Sequence, residues 1–243
     1  MGTVATNTSK LFGLGAGNIS CFAQEFSMQG EWAIDDASGM CDTENQNVIG
    51  KQAVATLSAN GRYEDAVGEI ATVANARLVA TDNEPVALLP LGIGAGLPAV
   101  CQSGLLTQVE VESPADGLTT ISIEGASDVG LELAYQIGDY DTPITADGDT
   151  PNLDGGAASS DGGAAYVFID EFSGFSDVTV QIEHSANGTT GWSSIGTTPA
   201  LTANGDAVRI PLVGSIEQYV RANIDVTGVG SVQVLITLSR NNA

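Results

Sequence analysis

The chain has 243 residues, 43% hydrophobic and only 15% charged, so it is long enough for a packed core and too apolar for a disordered polyelectrolyte. Thirty acids against seven bases leave a net charge of −23, which excludes a nucleic-acid binder working by counterion displacement from phosphates. An acidic soluble coat, a host with high internal salt, or a dedicated acidic surface would each give this balance.

Abundant glycine (30 residues) and scarce aromatics (5%) suit many strands joined by tight turns. Residues 1–10 lack the apolar core of a signal peptide. Gly2 to Thr6 fit the loose myristoylation pattern, but no basic cluster supplies a second membrane signal. No apolar stretch approaches the roughly 18 residues that span a bilayer, so a soluble intracellular product is expected, with no membrane partner. Gly13-Leu14-Gly15-Ala16-Gly17 imitates a nucleotide loop without the preceding strand, following helix or lysine, and reads as a turn. Cys21, Cys41 and Cys101 allow one disulfide but show neither a disulfide framework nor a zinc site, and buried free thiols in a reducing compartment are the default reading.

Val67, Ile70, Ala71, Ala74 and Leu78 fall at helical spacing between Asp65, a candidate N-cap, and Pro85, which predicts one short α-helix over about 65–80. Gly92-Ile93-Gly94-Ala95-Gly96 reads as a flexible loop. Strand alternation follows at Val109–Val111 and Ile121–Ile123. In the next strand Leu131, Leu133, Tyr135 and Ile137 are expected on the core face, with Glu132, Ala134 and Gln136 outward. Residues 146–163, rich in glycine, aspartate and serine, read as a linker. Beyond it, residues 164–243 read as a C-terminal β-sandwich domain of about five strands. Its apolar rows are Val178/Val180/Ile182, Val220/Ala222/Ile224 and Val232/Val234/Ile236/Leu238. The fold class expected is all-β, mainly antiparallel sandwich or barrel, with one short α-helix.

Catalytic chemistry finds little support. His184 is the single histidine, at a strand end, with no partner for a dyad or a multi-histidine metal site. No Gly-x-Ser-x-Gly elbow occurs. Asp139, Asp141, Asp147, Asp149 and Asp154 invite a calcium reading, but Pro143 and Pro151 break the ligand spacing, and a solvated acidic loop is preferred. Carboxylate pairs are too common in this chain to single one out as glycosidase-like. Asn187-Gly188-Thr189 matches a glycosylation pattern but reads better as a turn. The expectation is no enzyme and no cofactor.

Two sets of residues resemble a known family. The run from Gln181 to Trp192, followed by Tyr219-Val220-Arg221-Ala222, resembles a β-sandwich segment frequent in tail proteins of long-tailed viruses. Ser38 to Thr43, Gly61-Arg62-Tyr63-Glu64 and Ser103 to Val111 are similar to the first part of tail tube (major tail) proteins of siphovirus-like viruses, although Cys41 departs from the family loop. The resemblance implies a self-assembling structural subunit of the virion tail, made in the host cytoplasm. Its rings have sixfold or pseudo-sixfold symmetry, from six chains or from three chains with two tube domains each. They stack into a tube through which DNA passes without specific binding. Tape-measure and tail-terminator proteins are the implied further partners.

Residues 1–145 would then be the tube domain, with a loop over 35–51 touching the next ring through Asp35, Asp36, Met40, Cys41, Asp42, Thr43 and Lys51. Residues 146–243 hold 11 acids and three bases, a charge of −8 that leaves −15 for residues 1–145. The first part is therefore expected to line the bore, with Glu110, Glu112 and Glu132 as lumen-facing acids. Two other classes compete: a virion decoration or carbohydrate-binding β-sandwich module using Trp32 or Trp192, and a hydrolase with convergent carboxylates.

Overall fold

Where apolar and polar residues alternate, one face of each strand can be buried while the other meets water, and the chain folds accordingly. The computed structural model describes residues 9–20, 23–36, 47–63, 83–127 and 129–241, with Ala23, residues 32–36 and residues 47–54 described in their backbone alone. The first six strands are β1 (Lys10–Gly13), β2 (Ala23–Asp36), β3 (Asn47–Arg62), β4 (Glu84–Leu89), β5 (Pro98–Glu112) and β6 (Thr120–Ser127). Then come β7 (Glu132–Ile137), the short β8 (Gly148–Asp149) and β9 (Leu153–Asp154), and β10 (Gly163–Ser185), β11 (Ser193–Thr197), β12 (Ala207–Leu212) and β13 (Tyr219–Arg240). The fold is all-β, and its described strands belong to one antiparallel 13-stranded sheet. The helix expected over 65–80 lies outside the described residues.

Two long strands organise the C-terminal part. β10 and β13 pair from Gly163↔Arg240 to Ser185↔Tyr219, interrupted by bulges between Asp170 and Asp177. Bulges bend a strand and raise its twist. Residues before and after them, among them Val167, Ile169, Val178, Val180, Ile182, Val220, Ile224, Val234 and Ile236, bury one another in a single apolar cluster. β12 extends β10 before the bulges and β11 extends it after them. The second half of β13 is buried on both faces, because Leu235 points into a different cluster with Phe12, Ala87, Ala99, Cys101, Tyr166 and Phe168. There the Phe12 ring meets Tyr140 edge-on at 5.0 Å and Phe168 at 6.3 Å, which brings β1 against β10. Cys101 sits at the centre of this cluster; burial pushes its thiol up to about 12, leaving it a small inert hydrophobe. Cys21 and Cys41 lie outside the described residues.

Residues 131–163 are joined to neighbouring strands at several points. β7 pairs with β5 on one edge and β13 on the other. The segment from Ile144 to Ser159 lies along the outer edge of β13 as a strap. It is joined by Ile144↔Val232, β8, β9 and Ser159↔Ile216. Its aspartates act separately, each on its own partner. Asp147 accepts from the Val226 N–H (2.9 Å), Asp149 from Asn223 Nδ2 (2.7 Å), and Asp154 from Gln218 Nε2 (3.0 Å) and the Gly156 N–H (2.8 Å). Those last two donors hold the Asp154 carboxyl below its usual range.

This depression sets a sign. The Asp154 contribution is complete above the unfolded carboxylate pKa of about 3.9 and disappears as pH falls through the lower folded value. Amide exchange at Gly155 and Gly156 should therefore be slower in the wild type than in Asp154→Ala at about pH 6, and the difference should vanish as the pH falls through the lowered folded value. Equal protection at the higher pH would mean that the carboxylate does not hold the strap.

The Gly92–Gly96 loop, expected to be flexible, is tied down. Gln136 donates through Nε2 to the Gly92 carbonyl (2.8 Å) and accepts at Oε1 from the Gly94 N–H (3.0 Å). The outcome for β7 reverses the expectation for much of its length. Glu132, Ala134 and Gln136 face inward, while Leu133 and Tyr135 are 75% and 56% exposed. Only Ile137 of the expected core row is fully buried. The physical reason is that β7 lies mid-sheet, and the side with the tighter cover belongs to the Phe12–Tyr166 cluster. Polar side chains enter there because each finds hydrogen-bond partners.

Candidate assembly surface

The sheet region away from the C-terminal cluster is a four-stranded ribbon in the order β5–β6–β3–β2. β5 pairs with β7 over Pro98–Cys101 and then with β6 from Gly104 to Glu112. Gly104 stands at the handover, where a Cβ would run into the Ala126 carbonyl and the Ser127 backbone. One face of the ribbon is apolar: Phe26, Met28, Leu57, Ala59, Ile121, Ile123, Leu106 and Val109 pack with Leu11, Leu14, Ile19 and Val86. The other face is polar and exposed. One register row crosses all four strands as Glu110, Ser122, Asn60 and Glu25, and the next reads Gln108, Glu124, Ser58 and Ser27. Asn60 Nδ2 donates to Glu25 Oε2 at 3.2 Å.

Both long edges of this ribbon lack a strand partner among the described residues. β2 pairs only with β3. β5 pairs with β4 through Gly104, so its outer side is unpaired from Leu105 to Glu112. An unpaired edge presents a row of free N–H and C=O groups that templates another strand.

The expected site residues separate. Glu110 and Glu112 are exposed on the polar face, near Thr120, Ser122 and Glu25 around one shallow concavity. Glu132 is elsewhere and is internally paired. Its carboxylate receives Arg209 Nη2 at 2.7 Å and Nε at 3.0 Å, and the Tyr166 hydroxyl donates to the same Oε2. Burial, followed by the Glu132 charge, drives the Tyr166 hydroxyl far above the phenol range; the bond to Glu132 also raises the Arg209 pKa. Glu132 is thus a structural anion. Asp35 and Asp36 are the last residues of β2, opposite Val48 and Asn47, and Lys51 lies within β3, so the backbone is strand at those three positions. Met40, Cys41, Asp42 and Thr43 lie outside the described residues.

Sequence reading missed Glu25 and Glu124, which share the face with Glu110 and Glu112. Their signal was present as Glu25-Phe26-Ser27-Met28-Gln29 and Ser122-Ile123-Glu124, both of period two. Elsewhere, His184 accepts the Glu217 N–H at Nδ1 (3.1 Å), a strand-end contact. Trp192 lies under the Arg221 guanidinium at 4.3 Å from its ring centroid, and Arg221 also bridges Asp149 and Glu183 at 2.7 Å each.

No protein family and no curated protein matches the chain. Among solved structures, a tail component of an empty gene transfer agent particle, refined with C6 symmetry, is 15% identical with a TM-score of 0.42. The match covers 51% of this chain and 92% of that one. The anti-feeding prophage tube-terminating cap is 7% identical over 55% of this chain and 91% of its own, with a TM-score of 0.41. The Dit protein of phage SPP1, described as a hub of the adsorption apparatus, is 11% identical over 96% and 99%, with a TM-score of 0.33. These scores are too low to establish a shared fold.

Proposed function

We propose that this chain is a structural virion subunit that closes into rings through the edges of its ribbon, and that the stacked rings form a tail tube for DNA. The observation that supports this reading is a four-stranded ribbon whose two edges have no strand partner among the described residues, with one face buried on its own subunit and the other lined with carboxylates. Such a ribbon can pair β2 of one copy with β5 of the next, and closure into a barrel removes every exposed edge. Because each chain supplies one ribbon among the described residues, six chains are favoured over three. Twenty-four strands at about 4.8 Å spacing, tilted by about 40°, close a barrel about 50 Å across, wide enough to pass duplex DNA. The C-terminal sandwich then lies outside the barrel, and tape-measure and tail-terminator proteins complete the assembly.

With Glu25, Glu110, Glu112 and Glu124 turned to the bore, each ring repels the phosphate backbone and DNA slides without adhering. Electron microscopy of the purified protein over a concentration series should show rings and filaments; solely monomeric particles at every concentration would defeat the proposal. A Glu110→Lys/Glu112→Lys protein should still assemble. Its assemblies, unlike the wild type, should retain duplex DNA with an affinity that falls steeply with salt, by a logarithmic slope of about −0.9 per phosphate neutralised. Intact assemblies of the variant that ignore DNA would place these residues outside the bore.

A further inference from the structure

Leu133 and Tyr135 present an anomaly that the ribbon does not resolve. They are 75% and 56% exposed although β7 is not an edge strand, being paired with β5 on one side and β13 on the other. Val100, the register partner of Leu133, is half-buried beside them. On this face Leu238, opposite Tyr135, is buried under the C-terminal cluster, and Val86 on β4 is buried under the ribbon. The gap between these two covered regions leaves large apolar side chains in water in the middle of a sheet, the kind of patch that marks a contact surface.

A second observation supplies the occupant. β2 and β3, 14 and 16 residues long, overrun their neighbour: β6 ends at Ser127, opposite Ala55. Beyond that point, residues 31–36 and 47–54 continue as an arm of two strands with no third partner among the described residues. Apolar residues fill much of the arm, with Ile34 opposite Ile49, Glu31 opposite Val54, and Trp32 between them. A two-stranded ribbon is marginal in water unless a further surface supports it.

We infer that Leu133, Tyr135 and Val100 form the seat for the β2–β3 arm of another copy of this chain. The inference deepens the ring reading and rests on it. In a closed barrel the strands run obliquely to the axis, so an arm that continues β2 and β3 past the end of β6 leaves its own ring along the axis. It meets a subunit of the next ring. Arm and seat are different surfaces, so the contact is heterologous and each added ring presents a fresh pair, which yields an open filament.

The test compares Leu133→Ser/Tyr135→Ser with the wild type and with Val213→Ser, a change at another apolar side chain, 90% exposed, away from the seat. The double variant should melt at the wild-type temperature and form rings, while its critical concentration for filaments rises about tenfold or more. Val213→Ser should form filaments as the wild type does. In a Cys21→Ser/Cys41→Ser background, Ile34→Cys combined with Leu133→Cys should cross-link between chains on oxidation. Double-variant filaments at the wild-type critical concentration would overturn the seat and leave the ring reading standing. A melting temperature that falls along with the filaments would assign the pair to the fold and overturn it too. Failure of the wild type to form rings would overturn the ring reading and the seat together.

Discussion

In a Cys21→Ser/Cys41→Ser background, the Ser27→Cys/Gln108→Cys protein is expected to give a ladder of covalent multimers on mild oxidation, ending at the ring number. Ser27 and Gln108 lie at opposite ends of one register row, on the two unpaired edge strands, and both are exposed on the polar face. Directly opposite residues on paired antiparallel strands have Cβ atoms about 4.5–5.5 Å apart, near what a disulfide needs after small adjustment. Strand tilt shifts the row between subunits, so positions 107–110 should be scanned against 25–29. The controls carry the logic. A head-to-tail contact joins two different edges, so neither single-cysteine protein should cross-link and an equal mixture of the two should stop at dimers. Efficient cross-linking of Ser27→Cys alone would show a two-fold contact that cannot close a ring. Absence of a ladder at every scanned pair would remove edge pairing altogether.

Removing the Glu132 carboxylate by Glu132→Ala is expected to destabilise the fold by about 3 kcal/mol, a fall in melting temperature of about 6–12 °C. The Glu132 and Arg209 side chains are only 13% and 21% exposed, and the Tyr166 side chain is fully buried. Truncating Glu132 leaves a desolvated guanidinium without its anion and a Tyr166 hydroxyl that still accepts from Arg209 Nε but has lost the acceptor for its proton, and that penalty exceeds the worth of the bond itself. Arg209→Ala should cost a similar amount for the converse reason. The triple change Glu132→Leu/Arg209→Met/Tyr166→Phe removes all three polar groups together and should recover most of the loss. Urea or thermal melts of the four proteins decide it. If the triple variant is no more stable than either single change, the cluster is not an interdependent polar network. A Glu132→Ala protein with wild-type stability would instead make Glu132 a free surface acid, as its position opposite an apolar row first suggested.

That residue shows how far local pattern reaches. Glu132 stands on a strand whose alternation is plain, and alternation reports only that two faces differ. Which face is covered depends on β5, β13 and the Phe12–Tyr166 cluster, drawn from sequence positions far apart. The strap shows the same limit. Its glycines and aspartates cannot build a core, yet β13 offers an edge that their backbone and carboxylates satisfy. β3 carries only a weak hydrophobic period, because small and polar residues such as Ala55, Ala59 and Ser58 fill it, and the period of β2 is plain only over Glu25–Gln29.

By itself the sequence determined the all-β class, the apolar rows of β10 and β13, the glycine turn at 13–17 and the acidic balance, because each follows from composition or from neighbours two residues apart. Tertiary structure alone decided the buried side of β7, the pairing of Glu132 with Arg209, the gathering of acids from β2, β5 and β6 on one face and the margins of the ribbon that have no strand partner among the described residues. Those features depend on which distant strands become neighbours, and hydrogen bonds between strands are formed by backbone groups that every residue other than proline carries.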